Sequence, residues 1–210
     1  PAGHRSSKLL VRQREGKTTE QAEEIGEAVP CGSYRRGKSD SGDVDVLICR
    51  RDGGDITDIL ARILEAITTA GHHIGHLSGP AIQEHGMSSS YRGVIKLKDP
   101  RFSIYRRLDL KAYPPNEFPF ALLYFTGSDH FNRSMRHFAK QLGYSLSDHG
   151  LVCAVKQSGH NVVRGVKNLV NANCELDIFH ALGLKYRAPP DRNTEVTIIQ
   201  APQLPMTTKS

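Results

Sequence analysis

The sequence predicts an α/β (α+β) protein: a mixed sheet backed by a helix, followed by a smaller C-terminal α+β lobe. Three observations carry that expectation. Val44-Asp45-Val46-Leu47-Ile48 has the β-branched content of a buried strand. Ile56, Ile59, Leu60, Ile63, Leu64 and Ile67 then keep helical spacing until Gly71 ends the run. Pro114-Pro115 punctuates the chain, and two helical patterns follow it.

Taken in order, residues 1 to 30 are polar and helix-permissive, with Thr18 to Ala28 the expected helix. The strand at 44–48 leads through a turn at Gly53-Gly54 into the helix at 56–70, and 72 to 93 reads as loop. Val94 to Leu97 and Leu108 to Tyr113 are two further strands, separated by a turn at Asp99-Pro100. Beyond the prolines, Phe120 to Phe125 is an apolar helix closed by Thr126-Gly127. Ser128 can cap a second helix whose core face is Phe131, Met135, Phe138 and Leu142, ending at Gly143. Short strands and loops are expected over 144 to 172. Asn173 should cap a last helix carrying Leu176, Phe179 and Leu182. The expected lobes are 1–113, with 1–30 as a helical flank, and 114–190. The proline-bearing tail after Arg187, and 191–210 above all, is expected to be extended or disordered.

The chain has 210 residues, 38% hydrophobic and 24% charged, enough for one domain or two small lobes sharing a core. No apolar run approaches the ~20 residues that span a bilayer, and no membrane partner is expected. The first fifteen residues are basic and polar apart from Leu9-Leu10-Val11, which does not read as a signal peptide. A net charge of +6 suggests a polyanionic partner such as nucleic acid. Cys31, Cys49, Cys153 and Cys174 stand far apart without C-x-x-C spacing and read as reduced thiols. His72, His73, His76 and His85 lack a cysteine or carboxylate to complete a zinc site and read as a polar loop. Arg92, Lys96, Lys98, Arg101, Arg106 and Lys111 read as a basic stripe that can track phosphates.

The chemistry concentrates in Cys31 to Ile48. Gly32 and Ser33 let a backbone approach an anion closely, Arg36 offers a planar fork of donors, and Gly42 permits a tight approach before Asp43. Residues two apart in a strand share a face, so Asp43 and Asp45 should project together while Val44 and Val46 enter the core. Paired carboxylates repel each other and suit hard cations such as Mg²⁺. Asp109, flanked by Leu108 and Leu110, is a further charge inside a strand pattern that needs a partner, and a salt bridge to Arg107 is one way to supply it. In the second lobe Asp129, Asn132, Arg133 and Arg136 fall at i, i+3, i+4 and i+7, giving one polar helix face.

These words resemble the family X DNA polymerases of the nucleotidyltransferase superfamily. The likeness rests on Gly32-Ser33-Tyr34-Arg35-Arg36-Gly37 with Asp43-Val44-Asp45, on Arg107-Leu108-Asp109, and on Leu123-Tyr124-Phe125-Thr126-Gly127-Ser128 followed by Phe131-Asn132-Arg133-Ser134-Met135-Arg136. It runs from about Cys31 to Arg187, broken in the loops at 72 to 93 and 156 to 172. The resemblance implies a palm-type mixed sheet in which Asp43, Asp45 and Asp109 hold two Mg²⁺ ions, with Mn²⁺ able to substitute. Asp109 would stand where a primer 3′-hydroxyl loses its proton, with Arg107 beside it. Gly32, Ser33, Arg36, Ser41 and Gly42 would hold the phosphates of a dNTP. Tyr124, Phe125 and Gly127 would line its sugar, and Asp129 and Asn132 its base. Arg133 and Arg136 would face the template. The implied partners are a dNTP and a gapped or nicked primer–template, and the implied location is the nucleus. No N-terminal lyase lobe or helix-hairpin-helix motif is recognisable, and Thr194 to Ser210 does not resemble the family ending. The alternatives are a template-independent or small-molecule nucleotidyltransferase, and a DNA-binding module without activity.

Overall fold

The computed structural model describes residues 7–12, 22–52, 56–82, 89–102, 104–157, 161–164 and 168–193. A six-stranded mixed sheet forms the first lobe, in the order β1 (Ser7–Arg12), β2 (Ala22–Pro30), β3 (Asp43–Arg50), β6 (Arg106–Tyr113), β5 (Ser89–Lys96), β4 (His73–Ile82). Only the central pair, β3 with β6, runs parallel. The one-turn helix α1 (Gly32–Arg35) links β2 to the loop before β3, and α2 (Ile56–Thr69) follows β3. The second lobe holds α3 (Phe118–Thr126), α4 (Asp129–Gln141), a three-stranded sheet of β7 (Tyr144–Leu146), β8 (Leu151–Gln157) and β9 (Asn161–Arg164), and α5 (Glu175–Ala181). Among the described residues no helix is long and apolar enough to cross a membrane.

The period of two along β3 and β6 sorts their side chains onto two faces. On one face Val46, Ile48, Leu108, Leu110 and Ala112 pack against Ile59, Leu60 and Leu64 of α2. On the other, Leu47, Cys49 and Tyr113 pack against Phe118, Ala121 and Leu122 of α3. Phe120 and Leu123 of α3 turn away from the sheet into a third cluster with Phe131 and Met135 of α4 and Ile178 and Phe179 of α5. Helix α3 is therefore apolar around its circumference because it is buried between both lobes.

Several expectations are corrected. Residues 22–30 form a strand, not the end of a helix, and β1 pairs with them, so the 1–30 flank is not helical where it is described; 18–21 lie outside the described residues. Pairing with both β1 and β3 overrides a weak helical preference. Gly26 shows why: a Cβ there would stand 2.0 Å from the Cys49 carbonyl oxygen. The stretch 72–93 contains β4 and the start of β5, antiparallel to each other, and not simply loop. Its Gly, Ser and His content gave no alternating pattern to read. Val44 is 39% exposed, because α2 covers the sheet only from Val46 onward. Leu142 is 46% exposed, standing at the C-cap of α4 where Ala139 takes the buried position. The last helix is capped by Cys174, not Asn173; the Asp177 carboxylate accepts from the backbone N–H of both, and Leu176 faces outward while Ile178 is buried.

After Arg187 the chain is described as far as Asn193, and that stretch is not disordered. Pro189–Arg192 form a 3-10 turn, and the Arg192 side chain is fully buried. Residues 194–210 and the Gly53-Gly54 turn lie outside the described residues, as does His85. His72 accepts from the Lys98 backbone N–H and His76 bonds the Tyr91 hydroxyl, so both are engaged at the β4 side of the sheet. All four cysteines are free, Cys31 and Cys49 buried and Cys153 and Cys174 exposed.

Candidate functional site

The site begins with strand register. In the parallel β3–β6 pair Asp43 stands beside Arg107 and Asp45 beside Asp109. In-register parallel neighbours point to the same face, so all four side chains share one side of the sheet. One oxygen from each of Asp43, Asp45 and Asp109 lies within 4.8 Å of the others, and no other group of three potential ligands exists among the described residues. Arg107 bridges this triad, bonding Asp43 and donating its Nε–H to Asp109 at 3.2 Å. That bridge includes the salt bridge expected for Asp109 and extends it to a second carboxylate.

Burial pushes the Asp45 carboxyl up to about 6, and the negative charges of Asp43 and Asp109 add to it; Arg107 and Arg36 offset only part. Concentrated like charge of this kind is costly unless a cation is shared. The donors are all oxygen, which suits a hard divalent ion. Asp109 Oδ1 is buried without a hydrogen-bond partner, while its Oδ2 takes Arg107, so an oxygen with free lone pairs remains for a cation. The residues present therefore fit a divalent metal.

Gly32 explains how the loop reaches this triad. Its φ is +57°, and a Cβ there would stand 2.0 Å from Asp45 Oδ2, so only glycine lets α1 lie against the carboxylate. The Cys31 N–H donates to the Asp45 carbonyl at 2.8 Å, fixing the same junction. Ser33 and Ser41 share a hydroxyl hydrogen bond at 2.7 Å, closing the loop between them. A Cβ at Gly42, by contrast, would meet nothing within 4 Å, so no protein atom makes the tight approach expected there.

The second lobe closes the other wall. Asp45, Asp109, Lys111, Arg92, Tyr124 and Phe125 all line one cleft of about 230 Å³. Tyr124 and Phe125 stand edge to face at 5.1 Å, and the Lys111 ammonium sits 4.5 Å from the Phe125 ring centre. Asn132 donates to the Tyr124 carbonyl at 2.7 Å, which ties the polar face of α4 to the end of α3. Arg136 joins Tyr124 and Asn132 around a smaller recess, whereas Asp129 is 81% exposed and pairs with Arg133. Gly127, at φ +67°, lies under Arg36: a Cβ there would be 3.1 Å from Arg36 Nη1, which donates to the Thr126 carbonyl.

Sequence reasoning missed the device that joins the lobes. Glu175 of α5 is buried and receives Arg35 of α1 at 2.8 Å and Arg192 of the tail at 2.8 Å. Arg192 also donates twice to the Arg187 carbonyl. Burial alone would raise the Glu175 carboxyl, but the hydrogen bond from Arg35 and the charges of both arginines hold it below its ordinary value. No local pattern announces a triad whose members stand at 35, 175 and 192. Lys111 was more legible, being two residues from Asp109 on one strand, whereas Arg92 fell in the stretch read as loop and is brought beside Asp109 by β5–β6 pairing. Of the remaining basic stripe, Arg101 instead pairs with Asp99 and Lys96 lies over the Tyr105 ring.

Comparison with known proteins covers both lobes. The DNA polymerase beta palm family matches residues 8–115, and the DNA polymerase beta thumb family matches 121–193. DNA polymerase lambda of Rattus norvegicus is 43% identical over 165 residues, covering 79% of this chain and 28% of that protein. DNA polymerase lambda of Arabidopsis thaliana is 32% identical over 166 residues, covering 77% of this chain and 31% of that protein. The chain thus spans under a third of the length of these relatives.

Proposed function

This chain belongs to the DNA polymerase beta palm and thumb family, and from that premise we propose that it is the catalytic core of a template-directed repair DNA polymerase. It would add a deoxynucleotide to a primer 3′-hydroxyl and release pyrophosphate. The observation that carries this reading is the carboxylate cluster of Asp43, Asp45 and Asp109, in which Asp45 and Asp109 stand in register and line a cleft walled by Tyr124 and Phe125.

Asp43, Asp45 and Asp109 would hold two Mg²⁺ ions, for which Mn²⁺ can substitute. Bound there, they supply charge stabilisation to phosphoryl transfer. Asp109 stands where the primer hydroxyl would lose its proton, and Arg107 keeps Asp109 and Asp43 aligned. The loop with Gly32, Ser33, Ser41 and Gly42 receives the triphosphate together with Arg36. Tyr124, Phe125 and Gly127 wall the sugar, and Asp129 and Asn132 approach the base. Arg133 and Arg136, both exposed on α4, face the template strand. Residues 1–113 and 114–190 act as catalytic and nucleotide-selecting lobes. A gapped or nicked duplex is the favoured substrate, and repair of genomic DNA gives the protein a nuclear location.

Template use is tested by comparing dNTP incorporation on a one-nucleotide gap with that on a single strand. The matched nucleotide enters the gap and the single strand is extended far less; equal use of both sinks the templated reading. Sugar choice is tested in the same assay with Tyr124→Ala. The ring stands at the cleft while its carbonyl, which holds Asn132, survives the substitution. Ribonucleotide efficiency rises by roughly tenfold or more, with deoxynucleotide efficiency changed less, as removal of a steric wall demands. Equal losses for both sugars with a lowered thermal midpoint would make Tyr124 a packing residue.

A further inference from the structure

We infer that Asn193 is a positioning residue for nucleotide binding, acting through Arg36; this rests on the reading of Arg36 as a triphosphate ligand. The two residues are 157 positions apart and clasp each other in both directions. Asn193 Oδ1 accepts from Arg36 Nε at 2.8 Å, and Asn193 Nδ2 donates to the Arg36 carbonyl at 2.9 Å. One amide side chain therefore holds both the backbone and the guanidinium of the same arginine.

The plainer role for Asn193 is local. Its Nδ2 also reaches the Pro190 carbonyl at 3.2 Å, a capping contact for the 3-10 turn. A cap needs nothing from Arg36, however, and the two shorter bonds both go there. The segment carrying Asn193 is itself anchored, because its neighbour Arg192 is fully buried against Glu175 and the Arg187 carbonyl.

The consequence lies in how Arg36 is committed. Its Nε is taken by Asn193 and its Nη1 by the Thr126 carbonyl at 2.5 Å, which leaves Nη2 for an outside acceptor. Its backbone N–H donates to the carbonyl of Gly32, the residue that lies against the Asp45 carboxylate, and the guanidinium and Asp45 feel each other's charge. A free arginine must lose the rotamer freedom of a long chain when it grips a phosphate. Asn193 removes that freedom in advance, so the fork is aimed before a nucleotide arrives. An ordered piece of the C-terminal tail thereby becomes part of the nucleotide site.

The test is a double-mutant cycle of Asn193→Ala and Arg36→Ala, reading dNTP affinity by equilibrium titration with Mg²⁺ and KM and kcat in gap filling. Asn193→Ala weakens affinity and raises KM by roughly five- to tenfold, with kcat changed by less than about twofold. In the Arg36→Ala background it adds less than about twofold, because its route has gone. An unchanged affinity in Asn193→Ala overturns the inference, as does the same loss in both backgrounds. Unchanged affinity in Arg36→Ala removes the triphosphate role of Arg36 and the inference with it. If wild-type protein binds dNTP but transfers no nucleotide, the polymerase reading fails while the affinity cycle still decides the coupling.

Discussion

Asp45→Asn lowers nucleotide transfer by at least roughly a thousandfold, the effect of removing one oxygen ligand from a metal-dependent phosphoryl-transfer site. The same substitution should make the metal-free protein more stable. Asp45 is half-buried between Asp43 and Asp109, and burial together with those charges lifts its carboxyl from 3.8 to about 6. The folded state therefore binds more protons than the unfolded chain between those values, and metal-free stability falls as pH rises through that window. Above about pH 6 the full penalty is present, and an uncharged amide removes it. The shift corresponds to roughly 3 kcal/mol at full strength; solvent screening of this only half-buried group reduces the expected gain to the order of 1 kcal/mol, or a thermal midpoint raised by about 2–4 °C in a chain of this size. A variant that loses activity and stability together would mark Asp45 as a structural residue and not as part of a charged site held ready for a cation.

Glu175→Ala has the opposite signature. It leaves Arg35 and Arg192 facing each other in a buried space without the carboxylate that neutralises both. Removing one partner of a buried ionic group costs about 3–5 kcal/mol, since the remaining charges stay desolvated. Because Arg35 belongs to α1, Glu175 to α5 and Arg192 to the segment after Arg187, the loss should loosen α1 from the second lobe as well. The depressed Glu175 carboxyl gives a pH test with a definite sign. Its contribution is present above the unfolded value of 4.5 and is lost as pH falls through the lower folded value. Urea unfolding of wild type and Glu175→Ala at neutral and acid pH checks this: the difference narrows toward low pH. A difference below about 1 kcal/mol at neutral pH would show that the triad is not a structural clamp.

The half of the sheet that carries the aspartates was legible in the sequence because β3 obeys a period of two and the hydrophobic run behind it is strong. That period placed Asp43 and Asp45 on one face before any contact was known, and the structure brings Asp109 beside them through register. The same rule misplaced Val44, because alternation gives the face of a residue and not how far the covering helix extends. The helix expected at Thr18–Ala28 failed where strand pairing outweighed local preference, and β4 was invisible for want of alternating hydrophobic residues. The clamp at Glu175 and the clasp at Asn193 are contacts between distant positions, for which single-sequence patterning carries no signal. Arg192 in particular sits in a proline-bearing segment whose composition suggests disorder, yet its guanidinium stacks among Phe131, Phe179 and Tyr186.

The most direct measurement is pyrophosphate release during single-nucleotide gap filling, followed as Mg²⁺ is titrated into metal-stripped wild-type protein and Asp45→Asn in parallel. The expected result is no release without metal, saturable release of one pyrophosphate per gap in the wild type, and loss of at least roughly a thousandfold in the variant at every Mg²⁺ concentration. Release that persists without metal, or that survives in Asp45→Asn, would contradict it.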